Sequence, residues 1–321
     1  MAKKLYIIDG HAHIYAAYYA PMHELTSPSG EPTQAVLIFT TAILGLIKNH
    51  KPDMLTVAMD SKTPTFRTKI YSEYKAHRPP MPDDMPVQID RIEQILEAMN
   101  VPVLRVDGFE ADDVIGTLAK RAAAGCDVFI CSKDKDMLQL LDKHISTFDI
   151  KTGTAKDVAA MRREMKVTPQ QFLDCLALQG DKADNVPGIP DVGPKTALEW
   201  IQKYGSIENL YKHIDEIKGK RGDNLRSFKD NLALSKELVT IDRNVSVKFD
   251  QKALALKKFN ESELARIFTE LGFNRLLTQL SLTNNSLLAG EAASHESRAT
   301  SHDYKLIDTK QKFDKFFSQF P

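Results

Sequence analysis

Little in this chain points to an oxidising compartment or to a membrane. Its 321 residues hold three cysteines, Cys126, Cys131 and Cys175, with no CxxC spacing. That excludes a disulfide framework and indicates a reducing compartment. No apolar run reaches membrane-spanning length, and no signal-peptide core follows Met1-Ala-Lys-Lys4, so a cytoplasmic protein without membrane partners is expected. There is no excess of either charge: Lys+Arg 43 balance Asp+Glu 43, for a formal net charge of +0. The balance neither favours nor excludes nucleic acid, because clustered acids can offset a basic face elsewhere. With 42% hydrophobic and 27% charged residues, the chain has the composition of a globular protein able to build one large or two smaller cores.

What is present is a repeated pairing of a short apolar run with an acid. Residues 5–8 end at Asp9-Gly10, residues 55–59 at Asp60, and residues 127–131 lead to Ser132-Lys-Asp134-Lys-Asp136. Residues 101–106 lead to Gly108-Phe-Glu110-Ala-Asp112-Asp113-Val-Ile-Gly116, after which a helix follows. Alternating strands and helices predict an α/β fold with a mainly parallel central sheet, whose ligand site lies beyond the carboxyl ends of its strands. Acids can serve as N-caps or dipole partners, but Glu110, Asp112 and Asp113 exceed capping needs. Carboxylates packed so closely repel one another unless a divalent cation neutralises them. Oxygen ligands without a His or Cys cluster point to Mg²⁺ or Mn²⁺ rather than zinc. His11 and His13 flank the site and are read as packing or hydrogen-bonding residues.

Residues 62–86 are of another kind. Arg67, Lys69, Lys75, His77 and Arg78 alternate with Phe66, Tyr71 and Tyr74 before a Pro-rich exit, a mixture suited to a polyanion whose bases can stack. Farther on, an apolar helix runs into Gly180-Asp181-Lys-Ala-Asp184-Asn-Val-Pro-Gly188-Ile-Pro-Asp-Val-Gly193-Pro-Lys195-Thr196. This is not a P-loop: Pro194 separates Gly193 from Lys195 and removes an amide that a phosphate cradle would use. Two helices joined by a tight Gly/Pro hairpin are predicted instead, with Gly188, Gly193, Lys195 and Thr196 facing a DNA phosphate. Asp181 and Asp184 stand on the approach to the acidic site. Residues 218–229 form a second basic stretch, with Lys220 and Arg221 read as phosphate contacts. Residues 245–282 are expected to form a closing strand and an amphipathic helix. Residues 286–303 read as a linker, and residues 304–321, with Phe313, Phe316, Phe317 and Phe320, as the start of another domain cut short at Pro321.

Gly108–Gly116, Tyr74-Lys75-Ala-His-Arg78-Pro-Pro-Met-Pro, Lys133-Asp-Lys-Asp136-Met and Gly180-Asp-Lys-Ala-Asp-Asn-Val-Pro-Gly-Ile-Pro resemble the 5′ nuclease domain of bacterial DNA polymerase I, a family related to flap endonucleases. The likeness covers residues 4 to 285, and the tail resembles the start of a 3′ to 5′ exonuclease-like domain. It implies a catalytic core at 1–170 with a helical arch at about 62–90, and a helical DNA-binding subdomain at 171–285 with a helix-hairpin-helix variant. It also implies two metal ions, one among Asp9, Asp60, Glu110 and Asp112, the other among Asp134, Asp136 and Asp184. Asp112 would bridge them, and Asp113 and Asp181 match further acids of bacterial members. Lys75 and Arg78 match arch cations that stabilise charge developing on the phosphate, and the hairpin would hold K⁺. A monomer acting on DNA with 5′ flaps, nicks or RNA-primed 5′ ends follows from the resemblance.

The chain departs from the family at Ala16, where members often carry Arg, and at Asp191, where the hairpin commonly has Gly. Two other readings compete: a catalytically silent DNA-binding module, against which the intact acids speak, and a PIN-like ribonuclease, which would lack arch and hairpin.

Overall fold

The computed structural model describes residues 2–21 and 25–280; the expected linker and the tail lie outside the described residues. The apolar runs become strands and the segments between them helices. Strand β1 (Lys3–Asp9) feeds α1 (Gly10–Tyr18) and α2 (Gln34–His50), and β2 (Met54–Ala58) feeds α3 (Phe66–Ile70) and α4 (Met85–Ala98). Strand β3 (Val103–Leu104) feeds α5 (Ala111–Ala122), and β4 (Cys126–Cys131) leads through a 3-10 turn at Lys135–Leu140 to β5 (Ile145–Asp149) and β6 (Thr154–Lys156). The sheet order is β3-β2-β1-β4-β5-β6. All neighbours are parallel except β5 and β6, so the carboxyl ends of β1, β2, β3 and β4 share one edge.

Strand β2 is buried at every position, which is why the sequence there shows a continuous apolar run instead of alternation. Helices α1, α2 and α4 cover one face through Ile14, Val36, Ile43 and Ile92. Helix α5 covers the other with Val114, Ile115 and Leu118.

A second core is built by α6 (Val158–Met165), α7 (Pro169–Gln179), α8 (Pro194–Tyr204), α9 (Ile207–Lys212), α10 (Lys220–Ser227) and α11 (Leu232–Val239). Met161, Leu176, Ile201, Leu210, Leu225 and Leu238 fill it. After α11 the chain returns to the sheet. Ile241, Val247 and Leu254 join the α5 face. Leu264, Ile267 and Phe268 of α13 (Glu261–Glu270), which follows α12 (Gln251–Leu254), join the α2 and α4 face.

The structure departs from the sequence reading in several places. Residues 241–280, assigned to the helical subdomain, pack on the sheet because their apolar side chains complete its two faces. β3 is shorter than residues 101–106 because Pro102 has no amide to give a ladder; its carbonyl accepts from Val57 N at 3.0 Å instead. The strand expected near Val245 does not form: Val245 N donates to Thr117 Oγ1 at 3.0 Å, and its carbonyl accepts from Arg121 Nη2 at 3.1 Å. Side chains of α5 thus satisfy the backbone that a ladder would have paired. The β5–β6 hairpin was not anticipated, since its polar residues interrupt the hydrophobic pattern. Among the described residues no helix is long and apolar enough to cross a membrane.

Candidate active site

The acids arrive where the sequence ends its strands. Asp9, the last residue of β1, caps α1 by accepting from Ala12 N at 3.2 Å and takes Ser132 Oγ at 2.8 Å. Its removal from water raises its pKa to about 6, even though those two bonds favour the charged form and the nearby Asp60 and Asp134 oppose it. Asp60, just past β2, accepts from Ala111 N at 2.8 Å. Its own N–H donates to His11 Nδ1 at 3.1 Å, and its carbonyl accepts from Arg105 Nε at 3.0 Å. Glu110 and Asp112 stand at the start of α5. Burial, followed by the charges of Asp9, Asp134 and Glu110, pushes Asp112 well above the usual carboxylate range.

After β4, Asp134 accepts from Asp136 N at 2.8 Å. Asp136 keeps a buried Oδ1 with no hydrogen-bond partner, and burial with the Asp134 charge raises its pKa to about 7. Asp181 turns its Oδ1 back to Ala183 N at 2.7 Å. All of these acids and Asp184 line one open pocket, apart from Asp113.

Cations enter the pocket from the arch. Lys75 Nζ lies 2.6 Å from Glu110 Oε1 and 3.7 Å from Asp184 Oδ2. Arg78 Nε donates to Asp184 Oδ1 at 3.1 Å, with Nη2 on the same oxygen. The main chain is docked as well: Lys75 N donates to Asp184 O at 2.9 Å, and Asn185 Nδ2 to Glu73 O at 2.8 Å. Lys75 adopts φ 58°, a left-handed conformation that turns its side chain into the acids.

Several expectations are corrected. Asp113, expected at the metal, is wholly buried outside the pocket, with both oxygens held by Arg67 at 2.7 and 2.8 Å. Arg67, expected on DNA, is the other half of that pair and only 2% exposed. Tyr74 is 5% exposed, so it offers no face to a base; its hydroxyl donates to Glu110 Oε2 at 3.1 Å. Burial, then the carboxylates of Glu110 and Asp184, raise its pKa. The arch is not helical throughout: α3 has five residues, and turns follow through Arg78. Closely spaced prolines at 79, 80 and 82 leave few amides with which to continue a helix.

The predicted hairpin is a longer connection, residues 180–193, between α7 and α8. Gly188 packs on the end of α7, where an added Cβ would meet Gln179 O at 2.1 Å. Gly193 and Lys195 are exposed, and α8 has no side-chain cap at Gly193, but Thr196 turns inward. Asp191 takes Lys220 Nζ at 2.7 Å, and Asn224 Nδ2 at 3.4 Å. Arg221 is exposed beside them.

Sequence reasoning missed Ser132 and Arg105, which hold Asp9 and Asp60, and Tyr15, which lines the pocket. Ser132 was legible in its place between β4 and Asp134; Arg105 carried no local signal. His11 and His13 both make hydrogen bonds, His11 Nδ1 accepting from Asp60 N at 3.1 Å and His13 Nε2 reaching Cys131 O at 3.1 Å. Burial lowers the pKa of both rings.

Among the described residues, no three such side chains converge as placed on a point suited to an ion, while Lys75 and Arg78 bond Glu110 and Asp184. The donor set nevertheless fits a hard divalent cation. It offers carboxylate oxygens, several of them forced toward protonation by burial and one another, and an orphaned Asp136 oxygen.

Comparison with known proteins places the chain beside nucleases. A family model described as "5'-3' exonuclease, N-terminal resolvase-like domain" matches residues 4–172, and "5'-3' exonuclease, C-terminal SAM fold" matches residues 167–262. The chain is 37% identical over 279 residues to the 5'-3' exonuclease of Aquifex aeolicus, covering 87% of this chain and 95% of that protein. It is 36% identical over 325 residues to DNA polymerase I of Pseudomonas aeruginosa, covering 98% of this chain but 35% of that protein, about a third of its length. Among solved structures, T5 5′-exonuclease with zinc bound matches at TM-score 0.60 and 20% identity, covering 89% of this chain and 99% of that one. The catalytic core of Rad2 in complex with DNA substrate matches at TM-score 0.60 and 14% identity, over 88% and 92%.

Proposed function

The chain belongs to the 5′-3′ exonuclease family, and from that premise we propose that its acidic pocket hydrolyses DNA phosphodiesters at 5′ flaps, nicks and RNA-primed 5′ ends, using Mg²⁺ or Mn²⁺. The observation that carries this reading is the convergence of strand-end carboxylates on a pocket faced by Lys75 and Arg78. Acids hold metal, cations hold phosphate, and a phosphodiester is the ligand that needs both.

Asp9, Asp60, Glu110 and Asp112 would hold one ion, and Asp134, Asp136 and Asp184 a second, with Asp112 between them and Asp181 in support. Bound ions would supply Lewis acidity and neutralise these charges. Lys75 and Arg78 would then exchange their carboxylate partners for the scissile phosphate, where developing charge is stabilised by a preplaced cation. Tyr74 donates to Glu110 and holds it in place.

The exposed start of α8, Gly193 and Lys195, with Lys220 and Arg221 nearby, would grip duplex phosphates, and the 180–193 connection would hold K⁺ through its carbonyls. We further propose that the chain acts as a monomer, in the cytoplasm, as part of a DNA polymerase I. The test is cleavage of a 5′-labelled flap duplex with Mg²⁺ and with EDTA. Mg²⁺-dependent cutting at the junction is expected; binding without cutting would favour a silent module, and preference for single-stranded RNA a ribonuclease.

A further inference from the structure

We propose that Arg67 and Asp113 are positioning residues for Glu110, and that they hold this acid in register with the helical, duplex-gripping part of the chain. The inference rests on the nuclease reading above.

The pair is buried, Arg67 at 2% exposure and Asp113 at 0%. Its fork is bidentate, Nη1 to Oδ2 at 2.7 Å and Nη2 to Oδ1 at 2.8 Å. The other guanidinium donors go elsewhere: Nε to Leu238 O at 2.9 Å, Nη2 to Thr240 O at 2.8 Å, Nη1 to Glu110 Oε2 at 3.4 Å. Asp113 in turn accepts from Glu110 N at 3.1 Å and Asp242 N at 2.8 Å. One ion pair therefore fixes the base of the arch, both ends of Glu110 and the stretch that leaves α11. Helix α11 is itself tied to the hairpin, because the buried Ser235 Oγ donates to Pro187 O at 2.8 Å.

Stability does not account for such a pair. Two buried charges lose hydration on folding, and an apolar pair of similar volume holds a core as well or better. What an apolar pair cannot do is bond the main chain and carboxylate of Glu110 while bonding the carbonyls of Leu238 and Thr240 at the end of α11. Losing an outer group that orients a metal ligand typically costs about 10–100-fold in metal affinity or activity.

The test uses Arg67→Met/Asp113→Leu, which replaces the pair by apolar groups, and Asp113→Asn, which keeps its volume. Each is measured for thermal unfolding, for Mn²⁺ binding by calorimetry without DNA, for flap-duplex affinity in EDTA, and for kcat and KM. We expect cooperative unfolding and little-changed duplex affinity, with Mn²⁺ affinity and kcat both lower by about 10-fold or more and KM nearly constant. A folded variant with wild-type Mn²⁺ affinity and kcat would overturn the proposal. So would failure of both variants to fold, which would make the pair a folding determinant only. Were the wild-type chain to bind Mn²⁺ and flap DNA without cutting, the nuclease reading would fail, while the Mn²⁺ comparison would still decide the positioning role.

Discussion

The Lys75 ammonium rests 2.6 Å from Glu110 Oε1, while the amide of the same residue donates to Asp184 O at 2.9 Å. One arch residue thus bonds acids from two separate elements, the start of α5 and the 180–193 connection. A cation there offsets the repulsion that would otherwise drive the cluster toward protonation. On the proposed reading, the same ammonium would meet a phosphate once metal took over its carboxylates.

Lys75→Ala should therefore lower single-turnover cleavage by about 100-fold or more, the scale of removing one preplaced transition-state donor. Flap affinity in EDTA should change much less. Unchanged turnover would remove Lys75 from the chemistry.

Metal and pH should be linked through Asp9 and Asp136, raised to about 6 and about 7. The folded, metal-free chain then holds protons that the unfolded chain has lost above about pH 4. Their contribution to stability is full below that value and disappears as pH rises through 6 and 7. A divalent cation favours the ionised acids and reverses the loss. Thermal scans should show a larger rise in Tm on adding Mg²⁺ at about pH 8 than at about pH 5.5, and an equal rise at both would contradict the shifts.

Gly188→Ala tests the connection between α7 and α8. The added Cβ would sit 2.1 Å from Gln179 O, a backbone atom with little room to retreat. A cost of about 1–3 kcal/mol is expected from overpacking, with weaker duplex binding, and an unchanged Tm would show that the loop can move aside.

Much of the site was legible because each acid follows an apolar run, and a parallel sheet gathers strand ends at one edge. Asp9, Asp60, Glu110, Asp112, Asp134 and Asp136 were found that way. Asp113 was misread for a physical reason: on a helix start, adjacent positions point in different directions, so Asp112 lines the pocket while Asp113 turns inward to a partner 46 positions away. Arg67 and Tyr74 carried the same ambiguity, since a basic and aromatic stretch has one composition whether its side chains face DNA or their own acids. The return of residues 241–280 to the sheet was hidden because apolar periodicity shows that a helix has a buried face, not what covers it.

Asp191 shows the reverse case, where a departure visible in sequence is softened by structure. It adopts φ 62°, which a glycine would take freely, and Lys220 at 2.7 Å, then Asn224, hold its pKa below the ordinary value. Lys220→Ala should expose that carboxylate and weaken flap binding more than Asp191→Asn/Lys220→Ala does, read as Kd at low salt. Equal losses would mean that Asp191 does not face the duplex.

The account depends most on Asp112, an acid in the first turn of α5 whose charge is strongly opposed by burial and by Asp9, Asp134 and Glu110. The deciding measurement is single-turnover cutting of a 5′-labelled flap duplex by Asp112→Asn with Mg²⁺, beside its binding of the same duplex in EDTA. Loss of cutting with binding retained is the predicted result. Cutting at the wild-type rate by a variant that lacks this carboxylate would contradict the metal-dependent site.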